Sequence, residues 1–200
     1  MAVNRGMAMP EMATALVDEY IARGREGKAF APWYSIDPPF PVGFFGDDKL
    51  VVGAYINGGI FPLVGGELAL AAFTNGREAY GVETLATYAD LVARTGETYL
   101  WYFHDGTPSS VDTSTSPEAT PTDGWGSSAM LMGLVEGLAG VRDERHSFSQ
   151  VHLAPRWMAA GEDEATVQLA YEASGASFGY TYRHDTAART IRLESEGHAE

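Results

Sequence analysis

Residues 125 to 138 read Trp-Gly-Ser-Ser-Ala-Met-Leu-Met-Gly-Leu-Val-Glu-Gly-Leu before Ala139 and Gly140. As a helix this segment is apolar on nearly every side, with Glu136 its single charge and Gly140 its stop. A helix without a solvent face has to be surrounded by other elements, so the chain must build a helical layer around it. The approach from Thr95 to Gly124 is rich in Thr, Ser, Asp and Glu and bounded by prolines. It is longer than the ~12–15 residues beyond which an irregular loop is usually functional or disordered.

Three further helices are expected upstream. Residues from about Pro10 to Arg23 place Met12, Leu16, Val17 and Tyr20 on one side, with Gly24 as the stop. Pro62 at a first helical position opens the next, whose run Leu63, Val64, Leu68, Leu70 and Phe73 ends at Asn75-Gly76. The third starts near Glu78, carries Val82, Leu85, Ala89 and Val92 at helical spacing, and stops at Thr95-Gly96. After the fourth helix the period changes to two. Val151 and Leu153, Val167 to Tyr171, Phe178 to Tyr182, and Ile191 with Leu193 alternate in or out of one face. Such an antiparallel meander has one apolar face and needs a second layer. The expected fold class is therefore α+β, a helical part over 1–143 followed by a β part over 144–200.

Composition excludes several function classes. A formal charge of −14 is the wrong sign for neutralising phosphates, so no nucleic-acid partner is expected. Lys28 and Lys49 are the only lysines, which leaves no polybasic membrane patch. The absence of cysteine removes disulfide and thiolate chemistry. Pro10, Glu11, Asp18 and Glu19 interrupt any N-terminal apolar run, so neither a signal peptide nor a spanning helix is read, and a cytoplasmic location is expected. The five histidines show no zinc spacing and no calcium loop is present; no metal site and no cofactor are expected.

Loop lengths indicate where a site would form. The second and third helices are joined by a short turn and should be antiparallel neighbours. With alternating directions, the second and fourth helices run parallel and the long loops entering them, Ala29–Phe61 and Thr95–Gly124, share one end. Both loops are aromatic. The first carries Trp33, Tyr34, Phe40, Phe44, Phe45 and Tyr55; the second carries Tyr99-Leu100-Trp101-Tyr102-Phe103-His104-Asp105. In Tyr55-Ile56-Asn57-Gly58-Gly59-Ile60-Phe61-Pro62, the paired glycines permit positive φ or close backbone approach, and Asn57 can donate and accept. The same residues would also serve as a tight turn ahead of a helix. Glu67, read as lying in the first turn of that helix, suits a capping or buried hydrogen-bonding role better than catalysis.

Three segments resemble one family, the six-hairpin (α/α) toroid enzymes that include glucoamylases, trehalases and cellobiose-phosphorylase-type proteins. Trp125 to Leu138 looks like the last inner helix. Tyr55 to Pro62 resembles the Asn-Gly-Gly-aromatic-Pro element that faces the sugar. Phe148-Ser149-Gln150-Val151-His152-Leu153-Ala154-Pro155-Arg156-Trp157 resembles the strand leading into the C-terminal β-sandwich of cellobiose-phosphorylase-type and rhamnosidase-type chains. The resemblance implies partial toroid hairpins followed by a β-sandwich-like meander. It implies an oligosaccharide or glycoside ligand, with Tyr55, Asn57, Trp101, His104, Asp123 and Trp125 as binding residues. It also implies a loop carboxylate as general base, for which Glu118 and Asp112 are the matching positions, although solvated loop carboxylates would look the same.

Glycoside cleavage needs a second carboxyl group as proton donor, ~6.5–9.5 Å away for inversion or ~5–5.5 Å for retention. In the phosphorylase-type relatives the donor is an Asp upstream of the Asn-Gly-Gly element. Asp37, Asp47 and Asp48 precede that element here without a matching motif, and a whole toroid has many more helices than four. The sequence thus reads as the C-terminal portion of a glycoside hydrolase-like or phosphorylase-like protein. A second copy or a companion chain would complete the ring. The alternative is a non-catalytic glycan- or partner-binding module.

Overall fold

The computed structural model describes residues 1–46, 50–110 and 121–198. The chain is mixed α and β with antiparallel sheets, and it divides into two compact units, Met1–Gly133 and Leu134–Glu200. The division falls ten residues before the expected 143/144 boundary. The reason lies in the second unit: Leu138 O accepts from Arg156 N at 2.9 Å, Gly140 O from Ala154 N at 2.8 Å, and Ala139 O from the Tyr180 hydroxyl at 2.6 Å.

The first unit contains α1 (Pro10–Glu26), α2 (Pro62–Thr74), α3 (Glu78–Thr95) and α4 (Gly124–Met132). Proline at the first helical position starts both α1 and α2, where its missing N–H is not needed. Gly96 in left-handed conformation ends α3. α2 is the central element, with every residue from Gly65 to Phe73 buried.

Its contact with α4 is unusually close. A methyl on Gly66 would overlap the Ala129 backbone, and one on Gly126 would come within 2.5 Å of Pro62 Cβ. Along the pair, Gly126 lies beside Pro62, Ala129 and Met130 beside Gly66, and Gly133 beside Ala69. Both helices therefore advance in the same direction, the parallel arrangement expected from the loop lengths.

Two helices depart from the sequence reading. α1 continues through Gly24 to Glu26, and its buried seam is Ala13 and Val17 rather than Met12 and Leu16, which are exposed. Val17 in that seam packs against Ala71 and Ala72 of α2. The fourth helix is α-helical only to Met132 and then widens into a π-helical turn, Gly133–Leu138. It is also not surrounded: Trp125 is 67% and Leu131 57% exposed.

The second unit pairs β1 (Val141–Arg145) with β2 (Gln150–Leu153), and β3 (Glu164–Tyr171), β4 (Ala176–Asp185) and β5 (Thr190–His198) form a three-stranded antiparallel meander. β1 was not expected, because Val141-Arg142-Asp143-Glu144-Arg145 has a single apolar residue. The core is Val141, Tyr180 and Tyr182 with Val151, Leu153, Trp157, Val167, Leu169 and Phe178 around them. Trp157 Nε1 donates to the Tyr180 hydroxyl at 2.7 Å, and that hydroxyl in turn donates to Ala139 O at 2.6 Å. β5 does not share in that burial and is exposed along its whole length.

Candidate functional site

The two long loops meet. Backbone bridges run Tyr34 to Ile60, Ile60 to Tyr102, and Tyr102 to Pro108, laying four stretches of irregular chain side by side. Ile60 and Tyr102 exchange both hydrogen bonds, at 2.9 and 2.8 Å, and Phe30 N donates to His104 O at 2.9 Å. This array stands at the N-terminal end of α2. Nothing in the periodicity of either loop announced it, since each contributes only one or two residues per bridge.

Within the array, the Asn-Gly-Gly turn is a knot. Tyr55 takes φ 43° and Gly58 φ 98°. A Cβ on Gly59 would lie 2.7 Å from Tyr55 O and 3.1 Å from the Trp101 ring, so close approach requires glycine there. The Ser35 hydroxyl donates to Tyr55 O at 2.8 Å and accepts from Gly58 N at 3.0 Å.

The expected binding residues fall into distinct places. Asn57 is fully buried: its Oδ1 accepts from Phe40 N at 2.8 Å, and its Nδ2 donates to Phe40 O at 2.9 Å and Leu50 O at 3.1 Å. Both amide protons are spent on the loop, so Asn57 holds the chain that carries Phe40, Phe44 and Phe45 instead of facing a ligand. Trp101 and Trp33 are also fully buried and pack the loop core. Trp101 Nε1 and the neighbouring Ser109 Oγ find no hydrogen-bond partner among the described residues.

His104 Nε2 lies 2.8 Å from Gly58 O, which fixes the proton on that nitrogen, and its ring stands edge-on to Tyr34 at 5.5 Å. Tyr55 packs on Phe61. Asp123 caps α4, accepting from Trp125 N at 3.2 Å and Gly126 N at 2.7 Å, while its own N donates to Thr98 O. That cap also acts at a distance: burial, helped by the charges of Tyr102 and Asp123, pushes the Tyr88 hydroxyl up to about 12.

Trp125 is the one expected binding residue that presents a broad face to solvent. The segment between α1 and α2 exposes Val42, Phe44, Phe45, Val51, Val52 and Ile56, with Phe40 and Phe44 stacked at 4.0 Å. Asp112 and Glu118, the candidate bases, lie outside the described residues. The described loop carboxylates are engaged: Asp37 with Arg23 at 2.6 Å, Asp105 with Thr107 N at 2.9 Å, and Asp123 as the cap.

Glu67, on the second turn of α2, is the notable buried carboxylate. It receives Asn4 Nδ2 at 2.8 Å and Arg5 at 2.7 Å, with the α-amino group 3.5 Å away. Burial alone would raise its pKa, but the Asn4 hydrogen bond and the nearby cations outweigh that and hold it below the usual glutamate value. It borders a cavity of about 270 Å³ lined by Leu16, Val17, Tyr20, Tyr34, Val64 and Leu68. Among the described residues no group of three or more His, Asp or Glu could hold a metal ion, and no helix is long and apolar enough to cross a membrane. No family model, no curated protein and no solved structure matches the chain.

Proposed function

We propose that the chain is a carbohydrate-active protein of the six-hairpin glycosidase type, glycoside hydrolase-like or phosphorylase-like, and that it supplies only part of the active site. One observation carries the reading: two aromatic loops join at the N-terminal end of the parallel pair α2 and α4, with Trp125 exposed two positions after the α4 cap. Parallel inner helices whose entering loops share one end are the architecture that the Asn-Gly-Gly resemblance implies. Aromatic faces stack on sugar rings, and Trp125 offers such a face. Glu118 or Asp112 would act as base, with the proton donor supplied by another chain or another part of a longer one. General acid–base help is worth about 10²–10⁴-fold per positioned group, so half of the pair gives little turnover.

Two measurements test this. Oligosaccharides should alter the emission of Trp125 while Trp33 and Trp101 stay silent, and Trp125→Ala should abolish the response. Aryl glycosides should be turned over poorly by the chain alone and well once a helical companion is added. Robust turnover by the lone chain, lost in Glu118→Gln, would overturn the partial-site claim and keep the base. A broad sugar panel that leaves emission unchanged would favour the second reading, a non-catalytic binding module. That reading draws on the commitment of Asn57 to its own loop and on the apolar residues exposed around it.

A further inference from the structure

We infer that β5 is a docking edge for a second copy of this chain, paired antiparallel with its own counterpart about a two-fold axis at Leu193. The inference is independent of the carbohydrate reading, because it rests only on the second unit. In the order β3-β4-β5, β5 pairs with β4 on one side and with nothing on the other among the described residues. All nine of its residues are exposed, and the strand has no proline and pairs with β4 residue for residue without a bulge. An open strand edge is a template for another strand unless it is blunted. Its odd-numbered side chains, Ile191, Leu193, Ser195 and Gly197, continue the face formed by Tyr182, Tyr180 and Phe178. Ile191 and Leu193 are 52% and 41% exposed, apolar residues left at the rim of a core.

The charges choose the partner and the register. Face-preserving self-pairings place residues of equal parity opposite each other, since a one-residue slip would put apolar against charged. Centring the axis on Arg192 opposes Arg192 to itself; centring on Glu194 opposes Glu194 to itself; centring on Ser195 opposes Glu194 to Glu196. Centring on Leu193 puts Arg192 opposite Glu194 twice, Leu193 against Leu193, Ile191 against Ser195, and no like charges together. Opposite-charge cross-strand pairs stabilise a ladder and like charges oppose it, so this register is favoured over its neighbours. Glu194 is shared in the open between Arg192 at 2.8 Å and Arg183 of β4 at 3.9 Å, and exposed pairs of this kind can be re-formed with a facing strand. β3, at the other edge, has no cation and offers no such complement. The contact is isologous, as a two-fold dimer requires, and joins two three-stranded sheets into one of six.

The test uses the full chain, which contains no cysteine. Leu193→Cys places one thiol on the axis, where facing Cα atoms of an antiparallel pair are about 4.5–5.5 Å apart, within disulfide reach. Mild oxidation should yield a linked dimer. Ile191→Cys should not, because its two copies are four residues out of register, about 13 Å along the strands. In sedimentation velocity the unmodified chain should show a concentration-dependent monomer–dimer equilibrium. Arg192→Glu should weaken it about tenfold by opposing two pairs of like charges. Adding Glu194→Arg to Arg192→Glu should restore it. A chain that stays monomeric at the highest attainable concentration overturns the inference. So does a dimer indifferent to Arg192→Glu, or equal crosslinking at positions 191 and 193.

Discussion

Glu67 ties the Asn4 and Arg5 side chains and the α-amino group to one point of α2, and its protonation should control the stability of the helical unit. Its folded pKa is depressed below the unfolded value of about 4.3, so its contribution is fully present above that value and is lost as pH falls through the folded pKa. Glu67→Gln should cost about 1–3 kcal/mol in urea unfolding near neutral pH, because charge-assisted partners are left with a weaker acceptor. The variant should also lose part of the acid-side decline; an unchanged acid profile would show that other carboxylates govern it. At the α4 cap, Asp123→Ala should cost about 0.5–2 kcal/mol of stability, as two helix N–H groups lose their acceptor. Residues of this kind differ in how far the sequence exposes them. Gly58-Gly59 was readable because only glycine tolerates the backbone it adopts. Asn57 was not, since an amide serves a ligand or a loop equally well until the path of Phe40 and Leu50 is known.

The α2–α4 pair depends on missing side chains. Gly66→Ala should destabilise by about 1–3 kcal/mol, since backbone cannot yield as a side chain does and the helices must separate. Gly124→Ala, at the start of α4 with open space around its Cα, should be neutral or stabilising by up to about 1 kcal/mol. Equal effects from the two substitutions in thermal unfolding would refute the close-packing account. Element boundaries marked by Pro62, Asn75-Gly76 and Gly96 were legible because those residues act locally. β1 was not legible, since its strand conformation comes from pairing with β2, from Val141 opposite Leu153 to Arg145 opposite Gln150, with a register shift between Asp143 and Arg145. The buried face of α1 was misread for a similar reason: Met12 and Leu16 are apolar, but the residue that meets Ala71 and Ala72 of α2 is Val17, and which face turns inward depends on that partner.

At the scale of the molecule, the formal charge of −14 is self-repulsive, and most of its ion pairs are exposed. Raising ionic strength should therefore raise the thermal midpoint, because screening relieves the net repulsion more than it weakens exposed pairs worth little individually. A midpoint that falls with salt would mean that the local pairs dominate. The exposure of the apolar Trp125 and Leu131 on α4 is a second property of the whole. A helix with that composition is uncommon at a surface, which agrees with the proposal that another chain covers it.

What the sequence determined by itself was the order of the four helices, the change from helical to alternating period after Gly140, and the topological demand that two aromatic loops share one end. Each follows from spacing and from local stop signals, which need no tertiary partner. Tertiary structure alone decided which aromatics face water. Trp33, Trp101 and Trp125 all lie in or just after the long aromatic loops, yet the bridges between Tyr34, Ile60 and Tyr102 accompany burial of the first two, while Trp125, on the first turn of α4, stays outside. Burial is a property of what arrives from distant positions, and no window of the chain contains it.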